Sequence, residues 1–206
     1  MNRTANRAFM ATEWIMRFAY VNLLWIGFTL LGAVLLGFFP ATVAMFAVIR
    51  KWIMGETDIP VFQTFWTTYK SEIIRSNGLG LVIVIVGGIM VLNLVFMRNS
   101  GDSFTNMIQI PLYMFMFVAV LTMFYLFPIY VHYELKLRQI FKNSFLMMII
   151  NPIENLVMIS GVVAVFFVVR FVPGLGFFFG ASLTAGIIMG TVYLVFNKMD
   201  KKKQQA

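Results

Sequence analysis

Cysteine is absent from all 206 residues, so neither a disulfide nor a thiolate metal site can form, and nothing marks the redox compartment. A single histidine, His132, excludes a histidine-rich metal centre. Charge is sparse: 12% of residues are charged and only eight are acidic. No G-x-S-x-G, H-E-x-x-H or G-x-x-x-x-G-K-[ST] pattern occurs, and every acidic residue falls at a segment end or in a connection. The chain therefore reads as non-enzymatic, with no catalytic, cofactor-binding or metal-binding residue to name. What is abundant is apolar: 61% hydrophobic residues and a mean hydropathy of +0.87. Soluble domains run near ~45–50% apolar and ~25% charged, so the medium that covers this surface must be lipid.

The expected fold class is all-α, a polytopic membrane helix bundle forming one domain over 1–206. Residues 1–17 read as an interfacial segment, 18–197 as the bundle and 198–206 as a basic tail. Six apolar segments are expected, at 18–37, 40–53, 78–97, 107–131, 153–169 and 175–197. The first is longer than the ~7–15-residue core of a secretory signal, so it reads as a retained span. The net charge of +8 points to the membrane and not to nucleic acid, because basic residues gather on the cytoplasmic side of multi-pass proteins. With the N-terminus inside and 40–53 returning inward, fourteen of the sixteen basic residues lie inside, leaving Arg98 and Arg170 outside. If 40–53 only skims the surface, the best split is 11 to 5. Both termini are therefore expected on the cytoplasmic side, with anionic lipids at that face as partners.

The stretch LLGFFPATVAMFAVIRKW (35–52) carries this topology. Gly37 and Pro40 suit a hairpin turn near the outer side, with Pro40 in the first helical turn, where its missing N–H does no harm. A helix over 41–52 rises only ~18 Å against a hydrocarbon core of ~30 Å, so the tip is expected to sit below the outer surface.

Two inner connections are amphipathic. In 59–78, Phe62, Phe65, Trp66 and Tyr69 share one helical face, and Asn77-Gly78 reads as a stop. In 133–152, Ile140, Phe141 and Phe145 share another, ending at Asn151-Pro152. Each face serves either as a docking surface for a partner subunit or as an interfacial brace. Pro152 favours Glu154 in a first turn, facing the positive helix end; the alternative, one helix over 144–169, would set it deep in lipid as a proton carrier. Ser182, Gly186 and Gly190 recur at four-residue spacing and permit close helix packing. Asn93, Thr122 and Ser160 are free to bond to neighbouring helices. Oligomeric state is not legible.

VNLLW (21–25), FPATVAMFAVIRKW (39–52), DIPVFQTFWTTYKSE (58–72) and YELKLRQIFKN (133–143) together resemble the YesL family of small bacterial integral membrane proteins. That resemblance implies no assigned activity. It does imply a setting near carbohydrate uptake and polysaccharide use, and so an accessory or regulatory role beside sugar-importer subunits. The alternative is a small transporter or channel for a neutral solute such as a sugar, with Asn22, Asn93 or Thr122 lining its path.

Overall fold

A computed structural model describes the backbone of residues 3–99 and 103–205, and side chains over 9–97 and 109–201. Among the described residues there are seven α-helices and no strand: α1 (Arg3–Leu31), α2 (Phe38–Ile53), α3 (Val61–Asn99), α4 (Ser103–His132), α5 (Leu137–Ile150), α6 (Pro152–Phe171) and α7 (Pro173–Gln205). Five stretches are long and apolar enough to cross a membrane: Phe9–Leu31, Val61–Met97, Gln109–His132, Pro152–Phe171 and Pro173–Lys201. The chain is a multi-pass membrane protein. The segment at 40–53 is not among the five, since α2 has only 16 residues.

Several expected boundaries are absent. No break sets off the described residues of the expected interfacial segment: α1 runs unbroken from Arg3 and ends at Leu31, six residues before Gly37. The basic tail continues α7 as helix to Gln205. The connection read at 98–106 is helical up to Asn99 and again from Ser103, and Ser100–Asp102 lie outside the described residues.

The clearest correction is at Asn77-Gly78, where no break occurs and α3 is one helix of 39 residues. At Asn151-Pro152 the break is real: α5 ends at Ile150, Asn151 adopts φ −123°, ψ 65°, and Glu154 stands in the first turn of α6. The chemistry separates the two cases. Proline removes a donor and pushes its predecessor out of helical geometry. Glycine costs only ~1 kcal/mol within a helix, less than opening the backbone ladder in an apolar medium. Asn77 also bonds back into the helix, its Nδ2 donating to the Ile73 carbonyl at 2.7 Å.

Helix α2 is apolar nearly all round, so it lies at the centre, with Pro40–Phe46, Val48, Ile49 and Trp52 all buried. It runs antiparallel to α1: Trp14 and Phe18 meet Trp52 at one end, and Trp25 meets Phe38 and donates to Thr42 Oγ1 (3.0 Å) at the other. Phe46 stacks on Phe127 of α4 at 5.5 Å. Phe39 lies against Gly80 of α3, where an added Cβ would stand 2.2 Å from the ring.

The α1–α2 turn spans residues 32–37. Ala33 and Val34 take φ of 52° and 65°, a region costly for a β-branched residue. Gly37 caps α2, and Pro40 is its third residue. The turn satisfies its own donors, with Gly32 N–H to Phe28 O, Val34 N–H to Thr29 O, Leu36 N–H to Gly32 O and Phe38 N–H to Val34 O. Tyr69 Oη donates to Phe28 O at 3.2 Å, and Asn77 Nδ2 to Leu36 O at 3.0 Å. Leu31, Leu35 and Leu36 are 78%, 81% and 65% exposed, an apolar tip with an internally bonded backbone, as hydrocarbon requires. The tip stands beside Asn77 and Gly80. Large apolar side chains continue, exposed, along α3 from Leu81 to Phe96, so the hairpin ends well short of the far end of α3. The short α2 and the bonds from Asn77 and Tyr69 account for it.

A candidate binding cleft between α2, α3 and the end of α4

Val43, Ala47 and Arg50 recur at i, i+4, i+7 on α2, and Thr68, Glu72 and Arg75 do the same on α3. The two stripes line a cleft of about 600 Å³, closed by residues 130–136 from the last turn of α4 and its connection to α5. Its lining brings together the ionisable side chains of Arg50, Glu72, Arg75, His132, Glu134 and Lys136.

Arg50 stands in the last turn of α2, where a cation complements the helix dipole. Its Nε donates to His132 Nδ1 at 3.2 Å. Accepting that bond leaves the imidazole neutral, with its proton on Nε2. The ring is held by stacking on Phe196 at 4.3 Å and by an edge contact with Tyr133 at 4.7 Å. Arg75 donates from a terminal nitrogen to the Leu135 carbonyl, and its guanidinium lies 5.0 Å from the centre of the Tyr130 ring. Tyr130 Oη in turn donates to Glu72 Oε2. Among the described residues, neither Arg50, Arg75 nor Lys136 has a carboxylate within ion-pair distance. The cleft therefore holds two arginines, each fixed by one bond to a neutral acceptor, with their other donors uncommitted.

A second polar cluster joins α4, α5, α6 and α7. Glu154 pairs with Lys198, Tyr125 Oη donates to Asn155 Oδ1 at 2.6 Å, and Asn155 Nδ2 donates to Met148 O at 2.7 Å. These bonds tie the four helices together, and Lys198 also lines a smaller cavity of about 370 Å³ beside Asn151. Asn22 does the same for α1 and α7, donating to Phe177 O (2.7 Å) and accepting from the Ser182 N–H (2.9 Å). Asn22→Leu is expected to destabilise the bundle by about 1–2 kcal/mol, read by thermal unfolding in mild detergent.

The residues singled out from the sequence divide. Phe65, Tyr69 and Ile140 are buried within the chain; Phe28 of α1 sits among Phe62, Phe65, Trp66 and Tyr69, with ring centroids 5.0–6.2 Å away. Phe62 and Phe145 remain exposed, while Trp66 and Phe141 are half-buried. Of the small-residue stripe, Ser182 is buried against α1, and Gly186 would place a Cβ 2.9 Å from Phe18. Gly190 has nothing within 4 Å of that position and makes no close approach. Asn93, Thr122 and Ser160 bond to carbonyls of their own helices, not to neighbours. The sequence reading missed the cleft. Its signal was the matched spacing of 43/47/50 and 68/72/75, with a basic residue closing each stripe.

The family model described as a protein of unknown function, DUF624, matches residues 18–94, which contain both stripes. The chain is 42% identical to the uncharacterized protein YteU of Bacillus subtilis over 189 residues, covering 92% of this chain and 85% of YteU. It is 35% identical to the uncharacterized protein YesL (93% of this chain, 90% of YesL) and 34% identical to the uncharacterized protein YesV (94% and 93%), both from the same bacterium. No solved structure matches. At this identity over nearly the whole length, the chain belongs to the YesL-like DUF624 family, whose function is unknown.

Proposed function

We infer that the chain is a non-enzymatic accessory or regulatory membrane protein, attached to importer subunits in carbohydrate uptake or use. One observation carries the choice over a conduit. Asn22, Asn93 and Thr122, the side chains expected to line a solute path, are each bonded to a helix carbonyl, and none lines a cavity described here. Polar lining is concentrated instead in a cleft at the charged end of the bundle, which suits reception of a ligand or partner better than passage. The sugar setting rests on the family resemblance alone.

The same reading sets the topology. The α1–α2 pair enters from the cytoplasmic side and returns to it as a re-entrant hairpin, giving six membrane-inserted segments with both termini inside. The 14-to-2 distribution of basic residues, the antiparallel α1–α2 pairing and the apolar exposed tip support this. Exposed apolar residues of α5 and the start of α6, Phe145, Leu146, Ile149, Ile150 and Ile153, form the cytoplasmic-side interfacial surface. Affinity purification in mild detergent from cells grown on several polysaccharides tests the role. Co-recovery of identified sugar-importer subunits is expected; recovery of the chain alone under every condition would count against it.

A further inference from the structure

We propose that the cleft between α2, α3 and residues 130–136 is a binding site for a phosphate-bearing ligand, with Arg50 and Arg75 as its principal contacts. A guanidinium offers five donors in a planar fork, and the structure spends one from each arginine, on His132 Nδ1 and on the Leu135 carbonyl. Those two bonds and the Tyr130 ring orient the forks in advance, which lowers the entropy lost when a ligand binds. Lys136 adds a third cation to the lining, against the carboxylates of Glu72 and Glu134. Three cations against two carboxylates leave the lining with one net positive charge, and Tyr130 Oη donates to Glu72, one of those carboxylates. Two forks and an ammonium from separate elements suit the tetrahedrally disposed oxygens of a phosphate, in a monoester or a diester, better than the two coplanar oxygens of a carboxylate. Val43, Ala47, Val131 and Leu135 supply an apolar wall for the remainder of the ligand, in a space of about 600 Å³. The helix dipole explains a cation at the end of α2, but not why the neutral imidazole of His132, carried 82 residues away, holds it in the cleft.

A soluble phosphate ester and a phospholipid headgroup present the same chemistry, and the site lies where either could reach it. The test is calorimetric titration of the full chain in uncharged detergent with inorganic phosphate, with a short-chain phosphatidylglycerol, with short-chain phosphatidylcholine and with acetate. Saturable binding of phosphate is expected if the source is soluble. Binding of phosphatidylglycerol without inorganic phosphate assigns the site to a headgroup and also upholds the proposal. In either case Arg50→Gln and Arg75→Gln should each weaken binding about 10- to 100-fold at an unchanged unfolding temperature. Lys136→Gln, at an exposed position, should weaken it less and serves as the variant least able to disturb folding. No saturation by phosphate or phosphatidylglycerol up to about 10 mM would overturn the proposal. So would acetate or phosphatidylcholine binding as well as phosphate or phosphatidylglycerol, or all three variants binding like the parent chain. These outcomes are independent of whether importer subunits co-purify, so this site and the accessory role can fail separately.

Discussion

Gly32→Ala is expected to cost about 3 kcal/mol and to lower the yield of monodisperse protein sharply. A Cβ there would lie 2.3 Å from the Gly37 Cα, 2.5 Å from the Gly37 nitrogen and 2.8 Å from Tyr69 Oη. Two of those neighbours are backbone, so no rotamer change relieves the clash. Gly37→Ala meets the same fate, 2.5 Å from the Thr29 carbonyl oxygen and 2.7 Å from that of Phe28. The turn already holds Ala33 and Val34 at positive φ, and its tight closure is what allows the carbonyls of Phe28 and Leu36 to meet Tyr69 and Asn77. Gly87→Ala provides the internal control, because nothing lies within 4 Å of its added carbon. In the interior of α3 it should be neutral or stabilising by up to ~1 kcal/mol. Unfolding in mild detergent, followed by tryptophan fluorescence, reads all three. Equal unfolding temperatures for Gly32→Ala and Gly87→Ala would show that the turn is not packed as described.

Phe28→Ala should destabilise by about 3–5 kcal/mol, the range for removing a buried phenylalanine. The ring is buried and touches Phe62, Phe65, Trp66 and Tyr69, so its loss opens a cavity and withdraws the α1 ring that meets all four. The outcome separates two uses of the same face. If these four aromatics brace the bundle, stability falls steeply. If they dock a partner, Phe28→Ala leaves the isolated chain as stable as before and alters only what co-purifies.

These two sites also show where the sequence is legible. Periodicity establishes that Phe62, Phe65, Trp66 and Tyr69 share a face, but it cannot say that a ring 34 residues upstream of Phe62 fills it. The break at Asn151-Pro152 is readable because proline's geometry is local and absolute, as is the first-turn position of Glu154 that follows from it. Asn77-Gly78 misleads because the cost of glycine is small and the surrounding medium decides the outcome. The lysine that pairs with Glu154 lies 44 residues away, and no local signal names it. The cleft is of the same kind. Each stripe is visible alone, yet their meeting depends on the α2–α3 connection, and the Arg50–His132 bond joins residues 82 positions apart.

The central claim is that the charged end of the bundle, with the cleft, faces the cytoplasm, and that the α1–α2 hairpin enters and leaves from that side. A chain without cysteine allows single thiols to be placed free of background. Glu56→Cys follows α2, and Ser103→Cys opens α4. With a thiol reagent that cannot pass the membrane, Ser103→Cys should be labelled in intact cells. Glu56→Cys should react only after the cells are broken open. Labelling of Glu56→Cys from outside an intact cell would mean that the hairpin does not return, and would place the cleft on the wrong side of the membrane.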